Sequence, residues 1–169
     1  PHWLAEGVCA LLQKQADLAA GSIQFTYIKK DAAEIYDSIN HLQNKQDIQK
    51  HHSAPTANLF VLKKVIDKIG LFPVVESGGD LIWTLAAHRS GFRLEYADSA
   101  IVYHPARSLG ALLKKRLRTG RGSFPNWRQA AGTGSALSRT LRLLIPRRPS
   151  KIRRAIRENG QAWMEKKLW

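Results

Sequence analysis

The sequence predicts an α/β fold, with a mixed sheet and flanking helices, followed by a basic helical appendage. Three observations predict it. Helical and strand-like apolar patterns take turns along the first hundred residues, the mark of an α/β layer structure. The chain has 169 residues, 44% hydrophobic and 24% charged, which is enough for one real core and is neither disordered nor low-complexity in composition. Charge then divides the chain. Residues 1–100 hold 10 basic and 11 acidic side chains, whereas residues 101–169 hold 17 basic and 2 acidic.

The elements follow in order. Trp3, Leu4, Val8, Leu11, Leu12 and Leu18 recur at helical spacing and predict a helix over 3–18. Gly21 breaks it, and the alternation from Ser22 to Ile28 predicts a half-buried strand. Asp31 can cap a helix over 32–45, with Ile35, Ile39 and Leu42 on one face. The polar run 43–55 reads as a loop and the apolar stretch 56–62 as a strand. A short helix over 63–69 closes at Gly70. Residues 76–80 form a turn, and 81–89 a helix stopped by Gly91. Short strands are predicted at 92–96 and 100–104, and basic amphipathic helices at 109–118, 135–144 and 151–167. No internal repeat is visible.

Composition excludes several classes. The single cysteine, Cys9, leaves no internal disulfide and no cysteine-rich zinc site. No apolar run reaches the length of a membrane span, and the first residues lack the layout of a secretory signal. The chain opens on Pro1 rather than Met, as expected of a processed product or a piece of a longer protein. The net charge of +14 points to phosphate-bearing partners: nucleic acid, anionic lipid or a phosphorylated substrate.

Two places could carry chemistry. Ser77-Gly78-Gly79-Asp80 leads into a helix. The glycines let the backbone turn sharply and let a ligand approach, and the helix N-terminus favours an ionised Asp80. A carboxylate so placed suits proton abstraction from a hydroxyl. The plainer reading is a common loop followed by an ordinary helix cap. His104 ends a predicted strand directly before Pro105, where α/β proteins place binding groups and where a neutral imidazole can ligate a metal. Its plainer reading is a hydrogen-bonded histidine at a sheet edge. Trp83 stands one helical turn past Asp80, either stacking on a sugar or filling the core. His51-His52 is a pair of poor chelating geometry, expected to be solvated.

Five segments occur in a telling succession: Pro-Thr-Ala-Asn-Leu (55–59), a helix ending Ile-Gly-Leu-Phe (69–72), Ser-Gly-Gly-Asp-Leu-Ile-Trp (77–83), Arg-Ser-Gly-Phe-Arg-Leu-Glu-Tyr (89–96) and Ala-Ile-Val-Tyr-His-Pro (100–105). Together they resemble the C-terminal half of a family 2 inverting glycosyltransferase with the GT-A fold, over roughly residues 1–122. The resemblance implies a partial GT-A (Rossmann-like) mixed sheet over 1–105, the acceptor side of the domain, with a basic segment over 106–169. It implies transfer of a sugar, of hexosyltransferase type, from a nucleotide-sugar donor to a hydroxyl acceptor on a sugar, polysaccharide or lipid carrier, in cell-envelope or polysaccharide biosynthesis.

It also implies roles. Asp80 matches the family's base, while Gly79 stands where a Glu often precedes it. His104 matches a histidine that helps bind Mg²⁺ or Mn²⁺ on the donor. Thr56 and Asn58 match the segment lining the sugar and acceptor site, with Ser77, Gly78, Gly79 and Trp83 beside them. The family's Asp-x-Asp metal motif has no counterpart here, and Pro1-His2-Trp3-Leu4 looks like the segment that follows it. The nucleotide-binding half is therefore expected to precede this chain, the isolated chain to be inactive, and its sheet to have an open edge. A cytoplasmic location is implied, including the cytoplasmic face of a membrane.

The basic segment supports a second reading of its own. Leu109, Leu112, Leu113 and Leu117 form a stripe among Lys114, Lys115, Arg116, Arg118 and Arg121, as in helices that lie on anionic lipid. The stripe can equally face the protein core. Arg107, Lys114, Lys115 and Arg118 are the candidates for phosphate or membrane contact. A basic nucleic-acid-binding or peripheral membrane-binding module without catalytic activity is thus the alternative function. Against nucleic acid, no known binding motif appears, and aromatic residues do not interleave with the basic ones.

Overall fold

A computed structural model describes residues 2–122 and residue 138. The chain divides into two compact units, 1–119 and 120–169. Charge changes at residue 101, so the first unit takes in the start of the basic segment. The expected helices at 135–144 and 151–167 lie outside the described residues, apart from residue 138.

Helix α1 spans His2–Gln13 and strand β1 Leu18–Thr26. Helices α2 (Ala32–Asn40) and α3 (Asn44–His51) follow. A 3-10 turn, Thr56–Asn58, leads into strand β2, Leu59–Val61. Helices α4 (Lys63–Ile69) and α5 (Gly79–Arg89) precede strand β3, Leu94–Pro105. A last helix, α6, covers residues 109–122. The sheet has the order β2-β1-β3, with β2 antiparallel and β3 parallel to the central β1.

Several boundaries differ from the sequence reading, each for a physical reason. Helix α1 stops early because Gln15 takes a left-handed conformation and the Ala16 N–H turns back to the Leu11 carbonyl at 2.9 Å. Leu18 keeps helical spacing yet opens β1. That strand starts with Leu18, Ala19 and Ala20, all fully buried, so its first half shows no polar alternation. Asp31 caps α2 as expected, accepting from the Ala33 and Glu34 N–H groups. The expected loop over 43–55 contains α3, whose sequence is polar except for Ile48, which packs on the core. The two strands expected at 92–96 and 100–104 are one strand, β3, with an irregularity: Gly21 pairs with Ala97 but Ser22 pairs with Ile101.

β1 buries both faces. Ala19 joins Ala10, Leu11, Phe60, Ala97 and Ala100 on the α1 side. Leu18 and Ala20 join Ala54, Val65, Trp83, Ala87 and Leu94 on the other. The β1–β3 irregularity needs Gly21. A Cβ there would overlap the Ala100 carbonyl oxygen and the Asn58 amide. Gly21→Ala is therefore expected to destabilise the fold by roughly 2–3 kcal/mol in urea unfolding, because backbone must shift to admit the methyl. Unchanged stability would show that the irregularity tolerates a side chain.

Candidate active site

The site is built around the start of α5. Gly78 takes a left-handed conformation, φ 80°, and sits at the helix N-cap. A residue with a Cβ would be strained there. Gly79 serves close approach instead: a Cβ on it would press on the Val75 side chain and the Pro73 carbonyl at 3.1 and 3.2 Å. The crossing of the 73–75 segment is thus a steric reason for glycine directly before Asp80. Asp80 follows in the first helical turn, half-buried. Its Oδ1 accepts from the Leu81 N–H at 2.9 Å and its Oδ2 from the Thr56 N–H at 3.3 Å.

A buried threonine holds these segments together. Thr84 Oγ1 accepts from the Ala54 N–H at 3.0 Å and donates to the Asp80 carbonyl at 2.9 Å. Residues 54–56 are thereby fixed along the first turn of α5. Helix α3 supplies a second carboxylate, which the loop reading of 43–55 concealed. Burial pushes the Asp47 carboxyl up, His51 and Lys50 pull it down, and the charge of Asp80 adds to the upward push. The helical spacing of Asp47, Lys50 and His51 is the signal that could have revealed it.

The structure gathers some of the expected site residues and removes others. Thr56, Ser77, Gly78, Gly79 and Asp80 come together at this turn. Asn58 does not face it. It is 1% exposed, its amide donates to the Ser22 and Ala100 carbonyls at 2.9 and 2.8 Å, and its Oδ1 accepts from the Trp3 indole at 2.8 Å. Trp83 is a core tryptophan, 2% exposed, with its indole N–H on the Gly70 carbonyl and its ring against Phe72 at 4.5 Å. Its polar edge is satisfied inside the protein, so stacking on a sugar is excluded. His51 and His52 are exposed, as expected of a solvated pair, and the His52 ring lies flat on His88 with ring centres 4.3 Å apart.

His104 sits at the end of β3, its ring 5.6 Å from that of Phe25. Its Nδ1 is 2.8 Å from the Pro105 carbonyl. A carbonyl only accepts, so Nδ1 carries the hydrogen and a neutral ring keeps its lone pair on Nε2. Among the described residues no group of three or more His, Cys, Asp or Glu side chains is placed to hold a metal ion. The described residues do not by themselves fit a metal centre.

The basic candidates divide as well. Arg107 is held by the buried carboxylate of Asp37, through its backbone N–H at 2.9 Å and its guanidinium Nη1 at 3.2 and 3.3 Å, with its side chain still 28% exposed. Burial opposes the charge on Asp37, but the Arg107 and His41 contacts outweigh it and hold the carboxyl below its ordinary value of 3.8. Burial, with Lys115 nearby, lowers the pKa of His41 despite the Asp37 carboxylate, so at neutral pH its Nδ1–H donates to Asp37 at 2.6 Å as a neutral ring. Burial also lowers Lys115 to about 8, with Arg107 adding to it and Asp37 resisting. Lys114 and Arg118 are exposed, and Arg118 donates to the Glu76 carbonyl at 2.8 Å, four residues before Asp80.

Asp37→Asn tests this network. The substitution is expected to cost about 2–3 kcal/mol at neutral pH, since it leaves the Arg107 charge poorly compensated. The folded-state pKa of Asp37 is depressed, so its contribution is fully present above the unfolded value. It is lost as pH falls through the folded one. Urea unfolding should therefore show a difference between the two proteins that is flat above about pH 5 and shrinks toward pH 2.

No family model matches the chain. A stretch of 131 residues is 43% identical to the glycosyltransferase AglE of Haloferax volcanii, a match that covers 75% of this chain and 43% of that protein. The chain thus spans less than half the length of this relative. Among the described residues no helix is long and apolar enough to cross a membrane.

Proposed function

We propose that this chain forms the acceptor side of a glycosyltransferase that moves a sugar from a nucleotide-sugar donor to a hydroxyl with inversion, Asp80 acting as the base. The observation that carries the reading is the placement of Asp80. Its carboxylate sits in the first turn of α5, held by the Leu81 and Thr56 N–H groups. Both bonds fix the orientation of the carboxylate. The 3.3 Å contact to Thr56 is the longer of the two, which leaves Oδ2 able to take a proton. In the proposed step the acceptor hydroxyl gives its proton to Asp80 while its oxygen bonds to the anomeric carbon. The bond from that carbon to the nucleoside diphosphate breaks on the opposite face, and the bonding pair leaves with the diphosphate. The similarity to a glycosyltransferase supports the transfer chemistry.

The finer parts of the proposal are a hexosyl donor, a role in cell-envelope or polysaccharide biosynthesis, and a cytoplasmic location. We extend it to a Mg²⁺ or Mn²⁺ ion with His104 as one ligand, the others coming from outside the described residues. The test is transfer from labelled nucleotide sugars by the full protein and by its Asp80→Asn variant. Retained transfer in the variant would remove Asp80 from the role of base.

A further inference from the structure

Soluble domains bury most of their apolar side chains or scatter the rest, so neighbouring exposed groups call for a partner. Helix α6 has two sides. Leu112 faces the core, whereas Leu109, Leu113 and Leu117 stand at i, i+4 and i+8 on one outer face, 57–66% exposed. Cations border this stripe: Lys114 and Arg118 along one side, Arg116 along the other. A second exposed apolar group lies at 71–75. Phe72 anchors that segment against Trp83, which leaves Leu71 86% exposed and Val74 fully exposed. The hydrogen bond from Arg118 to the Glu76 carbonyl ties the two groups to each other and to the turn that carries Asp80.

We propose that the outer face of α6 and the 71–75 segment together form a docking surface for an anionic lipid bilayer. Leucine and valine side chains would enter the acyl boundary while Lys114 and Arg118 meet the head groups. The charge is complementary: α6 itself carries Lys114, Lys115, Arg116, Arg118 and Arg121 and no acidic side chain. The geometry matches an interfacial helix rather than a spanning one, since the apolar stripe occupies one face only. Resting on the glycosyltransferase reading, the surface also specifies the substrate: it sets the Asp80 turn at the bilayer, where the acceptor is a hydroxyl on a lipid-borne group.

The test is co-sedimentation of the full chain with vesicles of phosphatidylcholine alone or with about 30% phosphatidylglycerol. Binding is expected to the anionic vesicles only. The double variant Val74→Glu/Leu113→Glu changes two exposed side chains, and circular dichroism checks that it folds. It is expected to lower vesicle binding by roughly tenfold or more. Lys114→Gln and Arg118→Gln are each expected to weaken binding by roughly fivefold. Equal binding by wild type and the double variant, absence of binding to either vesicle, or binding to duplex DNA at physiological salt in place of vesicles would each overturn the proposal. Asp80→Asn should bind vesicles as wild type does. Absence of vesicle binding by the wild type, with its transfer to a water-soluble acceptor intact, would therefore sink the surface alone, and retained transfer by Asp80→Asn would sink the catalytic reading alone.

Discussion

Asp80→Asn is expected to reduce glycosyl transfer by the full protein by roughly a hundredfold to ten-thousandfold, the usual contribution of a positioned general base. The amide has nearly the shape of the carboxylate, and its carbonyl can still accept from the Leu81 or Thr56 N–H. Fold and donor binding are therefore expected to persist. The lost charge at the helix N-terminus costs at most about 1 kcal/mol of stability. Thr84 continues to hold residues 54–56 to α5, because its bond is to the Asp80 backbone carbonyl and not to the side chain. The check is initial-rate transfer beside donor affinity and thermal melting. A fall in rate with unchanged donor affinity and melting assigns the loss to proton abstraction. A fall in all three would show that Asp80 serves the fold instead.

Asn58→Ala is expected to produce the largest loss of stability, about 3–4 kcal/mol, because it strands several buried polar partners at once. The Ser22 and Ala100 carbonyls lose their donor, and the Trp3 indole loses its acceptor. The site is 1% exposed, so water does not readily replace these bonds. Asn58→Asp should be comparably harmful. A carboxylate cannot donate to two carbonyls, and it brings an uncompensated charge into the interior. Urea unfolding of both variants gives the answer. A loss below about 1 kcal/mol for Asn58→Ala would show that the three bonds are not what holds β1, β3 and α1 together.

These two residues mark the line between pattern and packing. The cap of α2, the helix over 63–69 with Gly70 after it, and the turn before α5 were legible because each depends on local chemistry: a side chain that accepts from nearby N–H groups, or a glycine where the chain reverses. Asp80 was legible for the same reason. Helix α3 was not, since a helix with one apolar residue shows no apolar periodicity, and its signal is confined to the charge spacing of Asp47, Lys50 and His51. The start of β1 was also concealed, because a strand buried on both faces does not alternate.

By itself the sequence determined an α/β order of elements, a split in charge and a carboxylate at a helix start, all set by neighbours along the chain. Only the tertiary structure decided that Trp83 fills the core, that Asn58 clamps the sheet, that Arg107 serves Asp37, and that the leucines of α6 are divided between core and surface. A polar or apolar side chain can be satisfied in several ways. Which way is taken depends on groups far away in sequence that folding brings within hydrogen-bond reach or van der Waals contact.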